Sequence, residues 1–216
     1  MALRLTYHPD FWIRGGDLYF RVEQTLFRVH SYFFTEESKY WEDELVGPAP
    51  RGNEVLKKGK DKKDPIVLKD EKPEEFAQFL WVFYNETFGD YSTATQDTWK
   101  VVIHFAGKWG FTEVMKLSLE HLQQDKTMGL VEQIQLYQEN KVPKEYIYPL
   151  YVKLASRDEL VGIEDACALG LETYVAVQQA RELWGQAPGK PPYKSRIREG
   201  LGKQDIDSIV ASTFNL

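Results

Sequence analysis

The chain has one cysteine, Cys167, so it cannot form an internal disulfide, and this fits a reducing compartment. Cys167 lies in Ala166-Cys167-Ala168-Leu169, a context that predicts a buried small hydrophobe rather than a reactive thiol. No apolar run approaches the roughly 18 residues of a membrane-spanning helix. The first residues, MALRLTYHPD, lack the apolar core of a secretory signal. Together these absences predict an intracellular protein, cytoplasmic or nuclear, with no membrane partner. Catalytic punctuation is missing too. There is no Gly-x-Ser-x-Gly elbow, and His8, His104 and His121 lack the His-Glu-x-x-His spacing of a zinc helix. Gly107-Lys108-Trp109-Gly110 lacks the spacing of a phosphate loop, and Trp109 would block close backbone approach. No catalytic residue, metal site or cofactor is expected. The net charge of −6 argues against a nucleic-acid or anionic-membrane binder.

What the chain does have is hydrophobic mass, 43% of its 216 residues, beside 28% charged residues. That balance is globular, and the length allows one large domain or an ordinary domain with an extension. The densest stretch is His8 to Phe34, HPDFWIRGGDLYFRVEQTLFRVHSYFF. Leu18, Phe20 and Val22 alternate with Tyr19 and Arg21, and Phe27 and Val29 alternate with Leu26 and Arg28. Period-two alternation on both sides of Glu23-Gln24 predicts a β-hairpin. Gly15-Gly16 mark a chain reversal ahead of it. The aromatics of this stretch are expected mainly in the core.

Beyond the hairpin, helical signals dominate. Ser31 to Leu45 is helix-compatible until Gly47-Pro48-Ala49-Pro50 stops it. Residues 47–64 are nearly devoid of apolar side chains and are expected to be a mobile loop. Pro65-Ile66-Val67-Leu68 predicts a short buried strand. Pro73 with Glu74 and Glu75 opens a helix carrying Phe76, Phe79, Leu80 and Phe83. Trp99, Val102, Ile103 and Ala106 form a further stripe, followed by a helix around Val114 to Leu122. After Gln124 the pattern stays helical. Leu130, Ile134 and Tyr137 share a face, Pro149 is expected to start or kink a helix, and Glu164 to Trp184 reads as one long amphipathic helix. Gln186 to Pro192 is linker-like, and the tail has a short stripe at Ile206, Ile209 and Val210. Strands early and helices late predict an α+β fold followed by an all-helical extension.

This order of hairpin, helix pair, short strand, helix, loop and helix pair resembles the BTB/POZ domain, a small β-sheet flanked by helices. Phe27-Arg28-Val29-His30 is similar to the family's strand that delivers a histidine into the first helix. Asp17 matches its acidic residue at the start of the preceding strand. Pro65 to Asp70 resembles its later strand, and Phe76 to Tyr84 its third helix. The resemblance is to BTB proteins of mushroom-forming (basidiomycete) fungi in particular. Their domain begins with a segment like His8-Pro9-Asp10-Phe11 and continues into an extension like Pro149 to Leu154, Arg157, Leu169 to Thr173 and Ala180 to Glu182. It implies a BTB/POZ-like domain at 8–124, a helical extension at 125–184, and a linker and tail at 185–216. It also implies a non-catalytic protein-interaction module, a scaffold or adaptor that binds protein partners or itself as a homodimer. Substrate adaptation for a cullin-based ubiquitin ligase is the alternative, and an enzyme with an unrecognised site the remote one. Members that recruit cullin usually carry an acid where this chain has Trp81, and many dimeric members have a base where it has Ser31. Few residues precede the hairpin, fewer than a strand-swapped dimer needs.

Within this frame His30 is expected to fix the strand-to-helix junction through hydrogen bonds to backbone. Lys57, Lys58, Lys60, Lys62 and Lys63 form a basic run that Glu54, Asp61 and Asp64 dilute, expected to be solvated. Trp81 falls off the Phe76/Phe79/Leu80/Phe83 stripe, and Tyr40 and Trp41 lie among acids. Tyr40, Trp41 and Trp81 are therefore the candidate partner surface, with packing of Trp81 as the competing reading.

Overall fold

The computed structural model describes residues 5–47, 56–87, 89–186 and 203–214. Residues 48–55 of the expected mobile loop and 187–192 of the expected linker lie outside the described residues. The chain forms two compact units, Met1–Asp125 and Lys126–Leu216. It is α+β, a small mixed sheet with helices.

In the first unit the predicted hairpin is present as β2 (Leu18–Val22) and β3 (Thr25–Val29), antiparallel from Leu18↔Val29 to Val22↔Thr25. Glu23-Gln24 form a two-residue connection, and Glu23 supplies the positive φ of 51° that such tight turns require. The short apolar run is β4 (Ile66–Leu68), parallel to β2. A further strand, β1 (Thr6–Trp12), runs parallel to β3 and completes the order β1-β3-β2-β4. The sequence reading lacks β1, because Pro9 interrupts it and polar residues fill it. An edge position tolerates both. Its register breaks between Tyr7 and Trp12, and there His8 Nδ1 accepts the Asp10 and Phe11 N–H groups, each at 3.2 Å.

One sheet face packs on α1 (Ser31–Glu37), α2 (Lys39–Leu45) and α3 (Pro73–Trp81), and α4 (Gln96–Trp109) packs behind α3 and pairs with α5 (Thr112–Gln124). Leu18, Phe20, Val22, Phe27 and Val29 point into this core and are fully buried. Phe20 contacts Phe34 at 5.0 Å and Phe76 at 5.2 Å between centroids, and Phe27 contacts Phe76 at 4.9 Å. Each such burial contributes about 1.5–3 kcal/mol. The helix expected over 31–45 is broken at Ser38, whose backbone is extended. Its buried hydroxyl accepts the Trp41 N–H at 3.1 Å, capping α2, and donates to the Trp109 carbonyl at 2.5 Å. Those two bonds replace the helical ones that the break removes. α3 ends at Trp81, so Phe83 lies in the following turn rather than in the helix.

The described part of the 47–64 segment is held at two points. Tyr19 N–H donates to the Gly59 carbonyl and Lys57 N–H to the Leu45 carbonyl, both at 2.8 Å. Gly59 is needed there: its φ is +68°, and a Cβ would sit 2.9 Å from the Leu18 and Ile66 side chains. Lys58 of the basic run pairs with Glu44.

The second unit is α6 (Leu130–Glu139), α7 (Lys144–Ser156), α8 (Ile163–Leu169), α9 (Leu171–Gln186) and α10 (Lys203–Phe214). α7 begins at Lys144 and runs through Pro149, so this proline does not start the helix. The long helix expected over 164–184 is interrupted by Gly170, at φ 77° and ψ 158°, a conformation open essentially to glycine. Cys167 is exposed on α8, contrary to the expected burial, because the short helix turns Leu169 inward instead. The tail docks as α10: Ile206 and Val210 are buried, Tyr148 Oη donates to the Asp207 carbonyl at 2.5 Å, and Tyr151 stacks on Phe214 at 4.0 Å. No helix among the described residues is long and apolar enough to cross a membrane.

Candidate interaction surface

The hairpin delivers His30 as the N-cap of α1, but the His30 side chain does not cap. Asp17, at the foot of β2, does so from across the hairpin. Its carboxylate accepts the Ser31 N–H at 2.8 Å and the Ser31 hydroxyl at 2.7 Å. A negative group at a helix N-terminus is favoured by both the free N–H groups and the helix dipole. The His30 N–H donates to Tyr84 Oη at 2.8 Å, and His30 Nδ1 lies 3.1 Å from the same oxygen. A phenol oxygen can both accept and donate, so the backbone N–H and the ring of His30 share one partner in Tyr84. Burial, with the Asp17 charge adding to it, pushes the Tyr84 hydroxyl up to about 12. At this junction the bonding partner of His30 is the Tyr84 side chain, where bonds to backbone were expected.

The three predicted surface aromatics separate. Tyr40 is 48% exposed and remains a surface residue. Trp41 is 2% exposed and belongs to the core, in edge contact with Phe20 at 5.4 Å, Phe34 at 5.7 Å and Trp109 at 5.3 Å. Its acidic neighbours suggested solvent, but spacing carries the opposite signal: Phe34, Trp41 and Leu45 stand at i, i+7 and i+11. Trp81 is half-buried and packs on Tyr91 at 5.4 Å and Trp99 at 6.5 Å. Tyr40, Trp41 and Trp81 therefore do not form one exposed patch.

No family model matches the sequence, and neither does any curated protein.

A different aromatic surface lies on the outer face of the sheet. Register places Tyr7, Leu26, Arg21 and Val67 in one cross-strand row, and Trp12, Arg28 and Tyr19 in the next. Side chains of both rows point away from the helices, since they alternate with the buried Leu18, Phe20, Val22, Phe27 and Val29. Tyr7 is 53% exposed, Val67 is exposed, and Trp12, Tyr19, Arg21 and Arg28 are half-exposed. Tyr7 meets Trp12 at 4.2 Å, and Trp12 meets the edge of Tyr19 at 5.8 Å. The Arg28 guanidinium lies 5.6 Å over the Tyr19 ring, and its Nε donates to the Gly16 carbonyl at 2.6 Å. Arg21 Nε is buried and has no hydrogen-bond partner. The pattern that reveals this face is the polar half of the hairpin alternation, and pairing with β1 completes it.

Elsewhere the chemistry is sparse. Glu71 is buried and pairs with Lys108, with His104 Nε2 at 3.7 Å. Among the described residues, no group of three His, Cys, Asp or Glu is placed to hold a metal ion. In the second unit an open groove runs between the start of α6 and α8, where Arg157 pairs with Asp165 at 2.9 Å.

Proposed function

We propose that the chain is a non-catalytic protein–protein interaction module, a BTB/POZ-type domain with a helical extension, acting as a scaffold or adaptor by association with itself or another protein. Its element order, a hairpin running through His30 into a helix pair and then a parallel strand, supports the BTB/POZ reading. The observation that carries the function is the outer sheet face. Tyr, Trp and Arg are the residues that dominate binding energy at interfaces, and here three aromatics and two arginines share one face of the sheet. Cullin recruitment is not part of the proposal: Trp81, at the position concerned, is packed on Tyr91 and Trp99.

Light scattering across concentration decides between the two modes of association. A mass that doubles with concentration assigns self-association. A constant monomer mass, with partner proteins retained from cells, assigns hetero-association. A monomer that retains no protein contradicts the module reading.

A further inference from the structure

The two outer rows of the sheet hold two arginines, three aromatics, exposed Val67 and buried Leu26, and no carboxylate. Among the described residues neither Arg21 nor Arg28 has an ion pair, although the chain as a whole is acidic at −6. Arg21 is half-exposed, so its charge faces the sheet surface, while its buried Nε has no hydrogen-bond partner among the described residues. Arg28 is pre-positioned: its Nε bond to Gly16 and its place over Tyr19 fix the guanidinium plane and leave the terminal nitrogens free. A fixed guanidinium fork matches a carboxylate in geometry as well as charge. Beside the two arginines, Tyr7, Trp12 and Val67 offer apolar surface.

We propose that this face is the docking site for an acidic segment of a partner protein, whose carboxylates meet Arg21 and Arg28 and whose apolar side chains pack on Tyr7, Trp12 and Val67. The proposal rests on the interaction-module reading and adds the chemistry of the partner. The face is positive on a negative chain, so it favours an anionic partner while the rest of the surface repels it. Two cations are too few to track a nucleic-acid backbone, which places the acidic peptide ahead of single-stranded RNA.

Fluorescence anisotropy with the full chain tests this. The probes are a fluorescein-labelled peptide of glutamates interspersed with leucine and tyrosine, the same peptide with lysine for glutamate, and an oligouridylate. The acidic peptide should bind, weaken with added salt, and lose about tenfold in affinity on Arg21→Glu. Tyr7→Ala should weaken it at any salt concentration. Among the described residues neither side chain makes a hydrogen bond, and circular dichroism verifies that both variants stay folded. Equal binding of the lysine peptide, tighter binding of the oligouridylate, or no effect of Arg21→Glu overturns the proposal. So does sedimentation showing that the face joins two copies. If the peptide fails while Arg21→Glu still abolishes capture of a cellular protein, only the partner chemistry falls. If both fail, the module reading falls with it.

Discussion

The Asp17 carboxylate holds both donors of Ser31, the N–H at 2.8 Å and the hydroxyl at 2.7 Å. A strand-end acid thus caps a helix that its own N-cap residue leaves open. Asp17→Ala should lower stability by about 1–2 kcal/mol in urea unfolding, the range for loss of a helix cap. Ser31→Ala should cost less, since the backbone bond to Asp17 survives. Equal stability of Asp17→Ala and wild type would remove this capping role.

Tyr84 closes the same junction from the far end of α3. Tyr84→Phe strands the His30 N–H and should destabilise by about 1–3 kcal/mol. The sign of the pH effect follows from the raised hydroxyl. The folded state favours neutral Tyr84, so its contribution is complete below the ordinary tyrosine value of about 10 and is lost as pH climbs toward about 12. A phenolate titration by ultraviolet absorbance should show a late-ionising tyrosine that disappears in Tyr84→Phe.

His8 predicts an effect at the acid end. Burial holds its imidazole below the ordinary histidine value of about 6.5, against the opposing pull of Asp10 and Glu74. Protonation of Nδ1 would also break two hydrogen bonds. Its contribution is full above about 6.5 and is lost as pH falls through the lower folded value. Stability measured from pH 7 to pH 5 should fall more steeply for wild type than for His8→Asn. Identical slopes would show that His8 is not the group responsible.

Two adjacent aromatics give a contrast within one helix. Trp41→Ala should cost about 3–5 kcal/mol, the range for emptying a buried aromatic site. Tyr40→Ala should stay within about 0.5 kcal/mol, as surface changes usually do. Comparable losses at both positions would contradict the burial described for Trp41.

The hairpin was legible because five consecutive residue pairs alternate without a breaker, from Leu18↔Val29 to Val22↔Thr25. β1 was not, because an edge strand buries little and so imposes little pattern; only Phe11 of its seven residues is buried. The break at Ser38 is invisible to periodicity, since the apolar spacing of Phe34, Trp41 and Leu45 continues across it. The Ser38 hydroxyl decides it with one local N-cap bond to the Trp41 N–H and one tertiary bond to the Trp109 carbonyl, and no local pattern encodes the second. Gly170 is the reverse case, a breaker in plain sight inside an otherwise good helical stripe. For the surface, neighbouring acids pointed toward Trp41, whereas the polar half of the hairpin held the exposed face. Aromatics among charges marked composition; alternation marked direction.

If the outer sheet face is the proposed interaction surface, altering it must remove the partners while the fold stays intact. The most direct test is quantitative capture from the native cell, by mass spectrometry, with wild type beside a folded Tyr7→Ala/Arg21→Glu variant. The account predicts a specific set of proteins on the wild type that the double variant loses and that Tyr40→Ala retains. The same set on the double variant, at unchanged abundance, would contradict it.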